Sequence, residues 1–194
     1  MAAVKKAART FTYADYCTWS NEERWELMEG VAYNMSPAPS RRHQDISREL
    51  LLQIGNFLKG RPCRVYDAPF DVRLPLAVEE DDAIETVVQP DLVVICDRDK
   101  LDEKGCRGAP DIVIEIVSSA TAVRDKKEKF VLYEKHGVKE YWLVEPADNT
   151  VMVFILGDDD QYGKPAFYSV EDTIHSNVIK GLSVELKTVF ASDE

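Results

Sequence analysis

Glu115 is the residue that most limits what this chain can become. It stands between Ile114 and Ile116 in the run GAPDIVIEIVS, which otherwise has the length, β-branched content and Gly/Pro borders of a buried strand. A carboxylate buried alone in such a strand costs several kcal/mol, so it requires a cation, a hydrogen-bonding partner or an opening to water. A second run of the same kind, QPDLVVICD, precedes it and carries Asp91. Alternation puts Asp111, Val113, Glu115 and Val117 on one face of their strand, and Asp91, Val93 and Ile95 on one face of theirs. If the two strands are neighbours, Asp91 and Glu115 converge at one end of a sheet, where two oxygen ligands suit Mg2+ or Mn2+. The bland reading is equally open: Asp91 as a turn residue after Pro90, and Glu115 as a solvated or salt-bridged strand residue.

The next stretch, TAVRDKKEKFVLYEKHG, reads as a helix. Ser118, Ser119 and Thr121 offer N-caps, and Gly137 ends it after Lys135 and His136. Lys129 lies one turn after Asp125 and one turn before Tyr133. A helix that leaves the Glu115 strand and packs back on the sheet can aim that lysine at the carboxylates. Lys126, Lys127 and Lys135 compete for the role, and any one lysine also reads as a surface charge. A third strand, VKEYWLVEP, follows, with Tyr141, Trp142, Leu143 and Val144 as core.

Around this centre, Thr12 to Trp19 and Asn21 to Leu27 read as short helical turns, and VAYNM as a strand after Met28-Glu29-Gly30. Pro37-Ala38-Pro39-Ser40 is a stiff connector. His43 to Lys59 is an amphipathic helix, with Ile46, Leu50, Ile54 and Phe57 at helical spacing and Gly60 beyond its end. CRVYDAPFDVRL is extended, and the acid-rich Leu76 to Thr86 is a solvated loop. VMVFIL and AFYSV are hairpin partners across GDDDQYGK, and short strands flank Gly181 in the tail. This order of elements is an α/β or α+β sandwich with a mixed sheet.

The 194 residues are expected to form one domain spanning 1–194, with 1–10 as a flexible arm. No apolar run has the length of a membrane span, and the first residues lack a secretory apolar core. Cys17, Cys63, Cys96 and Cys106 show no CxxC spacing and read as reduced thiols of a cytoplasmic protein. His43, His136 and His175 have no zinc-ligand spacing, and there is no GxGxxG, phosphate-binding loop or GxSxG. The net charge of −11 argues against a generic nucleic-acid coat, since such proteins usually carry a basic surface. It leaves room for an enzyme whose charges are arranged locally.

Pro90-Asp91, the Glu115 found 24 residues after Asp91, and the run GAPDIVIEIVSSATAVRDKKEKFVLYEKHGVKEYWLVEP resemble a bacterial family of restriction-endonuclease-like proteins (Uma-two-like). That family lies within the PD-(D/E)XK superfamily. The resemblance runs from about Trp25 to Phe190 and is strongest between Gln89 and Pro146. It implies a restriction-endonuclease-like core, a mixed central β-sheet flanked by helices. It also implies a metal-dependent endonuclease acting on DNA, with Asp91 and Glu115 as ligands of Mg2+ or Mn2+, helped by a backbone carbonyl near Ile116. The superfamily's lysine two residues after the Glu is here Val117, and Lys129 is the residue that matches the lysine's displaced position. Glu26 or Glu29, and His43, match further polar positions near the site. A homodimer is the assembly expected of a double-strand cutter. The competing expectation is a domain that binds nucleic acid or protein on the same scaffold without cutting.

Overall fold

The computed structural model describes residues 10–19, 23–35, 38–76, 78–118 and 122–191. A short helix α1 (Tyr13–Tyr16) leads into a hairpin of β1 (Trp25–Met28) and β2 (Val31–Asn34), followed by the long helix α2 (Arg41–Leu58). The strands β3 (Arg64–Asp67), β4 (Val72–Arg73), β5 (Val87–Val88) and β6 (Leu92–Ile95) come next, then β7 (Leu101–Asp102), β8 (Gly105–Arg107) and β9 (Ile112–Ile116). A π-helical turn over Arg124–Lys129 runs directly into α3 (Phe130–His136). The chain finishes with β10 (Glu140–Glu145), β11 (Thr150–Ile155), β12 (Ala166–Tyr168), β13 (Thr173–His175), β14 (Ser183–Glu185) and α4 (Leu186–Val189).

Among the described residues, the central sheet has the order β12-β11-β10-β9-β6-β3. It is mixed: β9 and β10 are parallel across the α3 crossover, while β9–β6, β6–β3, β10–β11 and β11–β12 are antiparallel. Strand β9 is buried on both faces, which is why its sequence is almost continuously apolar. Ile112, Ile114 and Ile116 pack on Ile46, Leu50 and Ile54 of α2. Val113 and Val117 face Leu132 and Tyr133 of α3 and the second sheet, β2-β1-β5-β4-β8-β7. This is the helix-flanked mixed sheet that the resemblance implied.

Three expectations change. Trp25–Met28 is a strand rather than part of a helical turn, because Glu29 (φ 48°) and Gly30 (φ 76°) close a two-residue hairpin onto Val31. The loop before Thr86 is not wholly solvated. Its Asp81 neutralises Arg73, whose side chain is completely buried and which also meets Asp102 at 2.6 Å. The cysteines are not all thiols either. Register Arg64↔Ile95 sets Cys63 directly across from Cys96, and the two form a disulfide, while Cys17 and Cys106 are free. The pairing removes the cysteine argument for a reducing compartment. No helix among the described residues is long and apolar enough to cross a membrane. The bridge closes a loop across a sequence separation of 33, so the Cys63→Ser/Cys96→Ser pair should lose about 2–4 kcal/mol in urea unfolding.

A second buried acid also holds the fold. Glu140 has no exposed surface; it accepts from Trp142 Nε1 at 2.7 Å, Ser176 Oγ at 2.7 Å and the Val178 amide at 3.2 Å. It thereby ties the tail to the central sheet. Glu140→Ala leaves these donors unpaired and should cost roughly 2–4 kcal/mol, read as a lower urea midpoint with unchanged m-value.

Candidate active site

The pairs Leu92↔Ile114 and Val93↔Val113, continued by one residue, set Asp91 across from Glu115. The Pro90-Asp91 step places Asp91 at the entry to β6, where the backbone is already extended. Its Oδ2 accepts the Ile116 amide at 2.7 Å and lies 3.3 Å from Nε2 of His43. His43 is held there because Ser40 caps α2, accepting the His43 amide at 3.3 Å. Burial works against charge on the His43 ring. Asp91 and the Ile116 backbone more than offset it, so the imidazole is held above its ordinary range.

The π-helical turn positions the cation. Such turns widen a helix locally and recur at functional sites. Here the turn buries Asp125 and Lys129 together on the side facing the sheet. Lys129 Nζ lies 2.9 Å from Glu115 Oε1, 2.8 Å from Glu26 Oε1 and 4.0 Å from Asp125 Oδ1. Tyr133, one turn on, donates its hydroxyl to Glu115 Oε1 at 2.6 Å. Glu26 enters from β1 and also accepts the Gln89 amide at 3.0 Å.

Burial pushes the Glu115 carboxyl well above its usual range; Lys129 opposes this, while Asp125, Asp91 and Glu26 add to it. Burial also disfavours the Lys129 ammonium, but Glu115, Glu26 and Asp125 outweigh that penalty and raise its pKa. The charged ammonium is therefore the favoured form of this lysine.

These groups line a cleft of about 370 Å³ whose wall includes Glu26, His43, Asp91, Glu115, Arg124 and Lys129. Among the described residues, no hydrogen bond engages Asp91 Oδ1 or Glu115 Oε2. Two hard oxygen donors beside open space fit Mg2+ or Mn2+, which keep several waters. No three His, Cys, Asp or Glu side chains among the described residues form a closed cage.

Not every expected residue arrives. Glu29 sits in the exposed hairpin turn, paired with Lys135, and does not line the cleft. Of Glu26 and Glu29, Glu26 is the one whose carboxylate reaches the cleft. Lys126 pairs with Glu145 at 2.5 Å, and Lys127 is exposed. Val117 is buried among apolar side chains at the cleft. Ser119 and Thr121, expected as caps, lie outside the described residues. Tyr133 was passed over as a site residue; its spacing of one turn from Lys129 was the available signal.

Residues 12–187 match the model of the Uma2 family, described as "Putative restriction endonuclease". The chain belongs to the Uma2 family. A relative from Synechocystis sp. (strain ATCC 27184 / PCC 6803 / Kazusa), the uncharacterized protein slr1290, is 25% identical over 152 residues, covering 76% of this chain and 75% of the relative. A crystal structure described as a putative nuclease belonging to DUF820, from Anabaena variabilis ATCC 29413, superposes with a TM-score of 0.73 at 20% identity. It covers 93% of this chain and 97% of its own. At that identity the likeness shows the fold that this Uma2 chain shares.

Proposed function

We propose that this Uma2 protein is a divalent-metal-dependent endonuclease that hydrolyses phosphodiester bonds in DNA. The observation that carries the reading is the placement of Asp91 opposite Glu115 at an open cleft, with the Lys129 ammonium 2.9 Å from Glu115. Asp91 and Glu115 would hold Mg2+ or Mn2+, which when bound lowers the pKa of water and offsets charge developing on the phosphate.

The chain's own groups do the rest. Glu115, Glu26 and Asp125 favour the ammonium form of Lys129, which suits it to donate rather than accept. It donates a hydrogen bond to orient the attacking water and stabilises negative charge on the phosphoryl oxygens. Glu26 and Tyr133 fix Lys129 and Glu115, and His43 fixes Asp91. Water oxygen adds to phosphorus and one P–O ester bond breaks, leaving a phosphomonoester and a hydroxyl.

Supercoiled plasmid DNA incubated with the protein should be nicked with Mg2+ or Mn2+ and stay intact in EDTA. Nicking in EDTA rejects the metal-dependent mechanism, and no nicking with either ion rejects the nuclease and leaves a scaffold that binds without cutting.

A further inference from the structure

A second groove adjoins the cleft. It measures about 450 Å³ and is walled by Tyr16, Trp19, Trp25 and Pro69, with Arg24 and Gln89 shared between it and the carboxylate cleft. Tyr16, Trp19 and Trp25 are each half-buried, so ring surface remains available to a ligand. Their rings lean on one another, Trp19 on Trp25 at 5.7 Å and Tyr16 on Trp19 at 5.5 Å, forming one aromatic wall. Tyr13, 3% exposed, packs the N-terminal segment on Leu27, Ile84 and Val87; Tyr16 and Trp19 pack against that cluster with part of their surface and keep the rest open.

The polar groups of this groove suit a base and not a phosphate. Glu23 and Asp71 line it, and their charge repels a phosphate. Asp71 Oδ1 is taken by Tyr16 (3.1 Å) and Gln89 (2.8 Å), while among the described residues no hydrogen bond engages its Oδ2, which can accept from an amino or imino group on a base edge. Arg24 holds Gln89 Oε1 through Nε and Nη2 at 3.0 and 2.7 Å, and stands at the junction where a strand would pass. Gln89 precedes Asp91 by two residues, about 7 Å of extended chain, a gap that one flexible nucleotide bridges. A net charge of −11 weakens the sequence-independent pull on a phosphate backbone, which makes a second source of affinity valuable. Stacking on aromatic rings supplies it independently of sequence.

We infer that the Tyr16–Trp19–Trp25 groove is a nucleobase subsite, stacking an unpaired base of the DNA strand whose phosphate enters the Asp91–Glu115 cleft. The preferred substrate is then DNA with an unpaired nucleotide at the scissile position, an assignment that rests on the nuclease reading. The test is equilibrium binding, in Ca2+, of a short single strand carrying 2-aminopurine and of the same sequence as a duplex. The wild-type protein should bind the single strand on the order of tenfold more tightly and quench its fluorescence. Trp19→Leu, which keeps apolar bulk and removes the π face, should lose roughly tenfold on the single strand and little on the duplex; Trp19→Phe should retain most of the affinity. Equal affinity of wild type for the two DNAs, or a Trp19→Leu variant that binds the single strand as wild type does, overturns the subsite. Metal-dependent nicking is scored separately: if it is absent while this binding pattern holds, the nuclease reading falls and the base subsite stands.

Discussion

Asp91→Asn should abolish metal-dependent nicking while leaving the fold close to its wild-type stability. Asparagine keeps the shape of the side chain and an oxygen able to accept the Ile116 amide, the 2.7 Å contact that pins Asp91 at the entry to β6. What it removes is the negative charge facing the cleft beside Glu115. Hard divalent cations bind through carboxylate charge, so affinity for Mn2+ should fall at least tenfold to a hundredfold in calorimetric titration, the loss typical even of outer-shell changes. The ion contributes several kcal/mol of charge stabilisation and each ~1.4 kcal/mol is tenfold in rate, so single-turnover cleavage should drop by about 10³ or more. The melting temperature should move little, since the neutral amide still satisfies the strand-entry hydrogen bond. Undiminished nicking by Asp91→Asn would place the chemistry at another site. A large loss of stability would make Asp91 a folding residue first.

The parts of this site legible in the chain are those set by local periodicity. Alternation in QPDLVVICD and PDIVIEIVS puts Asp91 and Glu115 on one face of neighbouring strands, and the register Leu92↔Ile114 delivers that arrangement. Helix α2 was equally plain, because Ile46, Leu50 and Ile54 repeat at its period. What was not legible depended on partners distant in the chain. Lys126, Lys127, Lys129 and Lys135 are alike to composition and spacing, and only the resemblance singled out Lys129. The π-helical turn that buries Lys129 and Asp125 together leaves no mark in the hydrophobic pattern. Glu26 looked like a helix residue until the Glu29-Gly30 turn folded its strand against the sheet. The Cys63–Cys96 bridge needed the β3–β6 register, which joins residues at a separation of 33. Glu140 carries no signal of burial, since its partners Ser176 and Val178 come from a tail loop more than thirty residues away.

Lys129→Met is expected to have the other large effect, and its pH dependence separates structure from chemistry. The amine lies 2.8 Å from Glu26 and 2.9 Å from Glu115, all three side chains nearly inaccessible to solvent. Removing one partner of a buried ion cluster leaves uncompensated charge and costs about 3–5 kcal/mol when the acids stay ionised. The variant can escape part of that cost by protonating Glu115, whose carboxyl is already raised chiefly by burial and which loses in Lys129 the cation that opposes this most. A carboxyl whose folded pKa exceeds its unfolded value favours the fold below the unfolded value, near 4.5, and loses that advantage as pH rises through the folded one. The gap between Lys129→Met and wild type in urea unfolding should thus be small near pH 5 and widen toward pH 8. Adding Glu26→Gln removes one of the two stranded charges, so the double variant should regain a substantial part of the lost stability at pH 8. It should regain no cleavage, because the donor that orients water and meets the phosphoryl charge is still missing. Recovery of nicking together with stability would mean that Lys129 serves the fold alone. A stability deficit that does not change between pH 5 and pH 8 would mean that Glu115 is not the acid it neutralises.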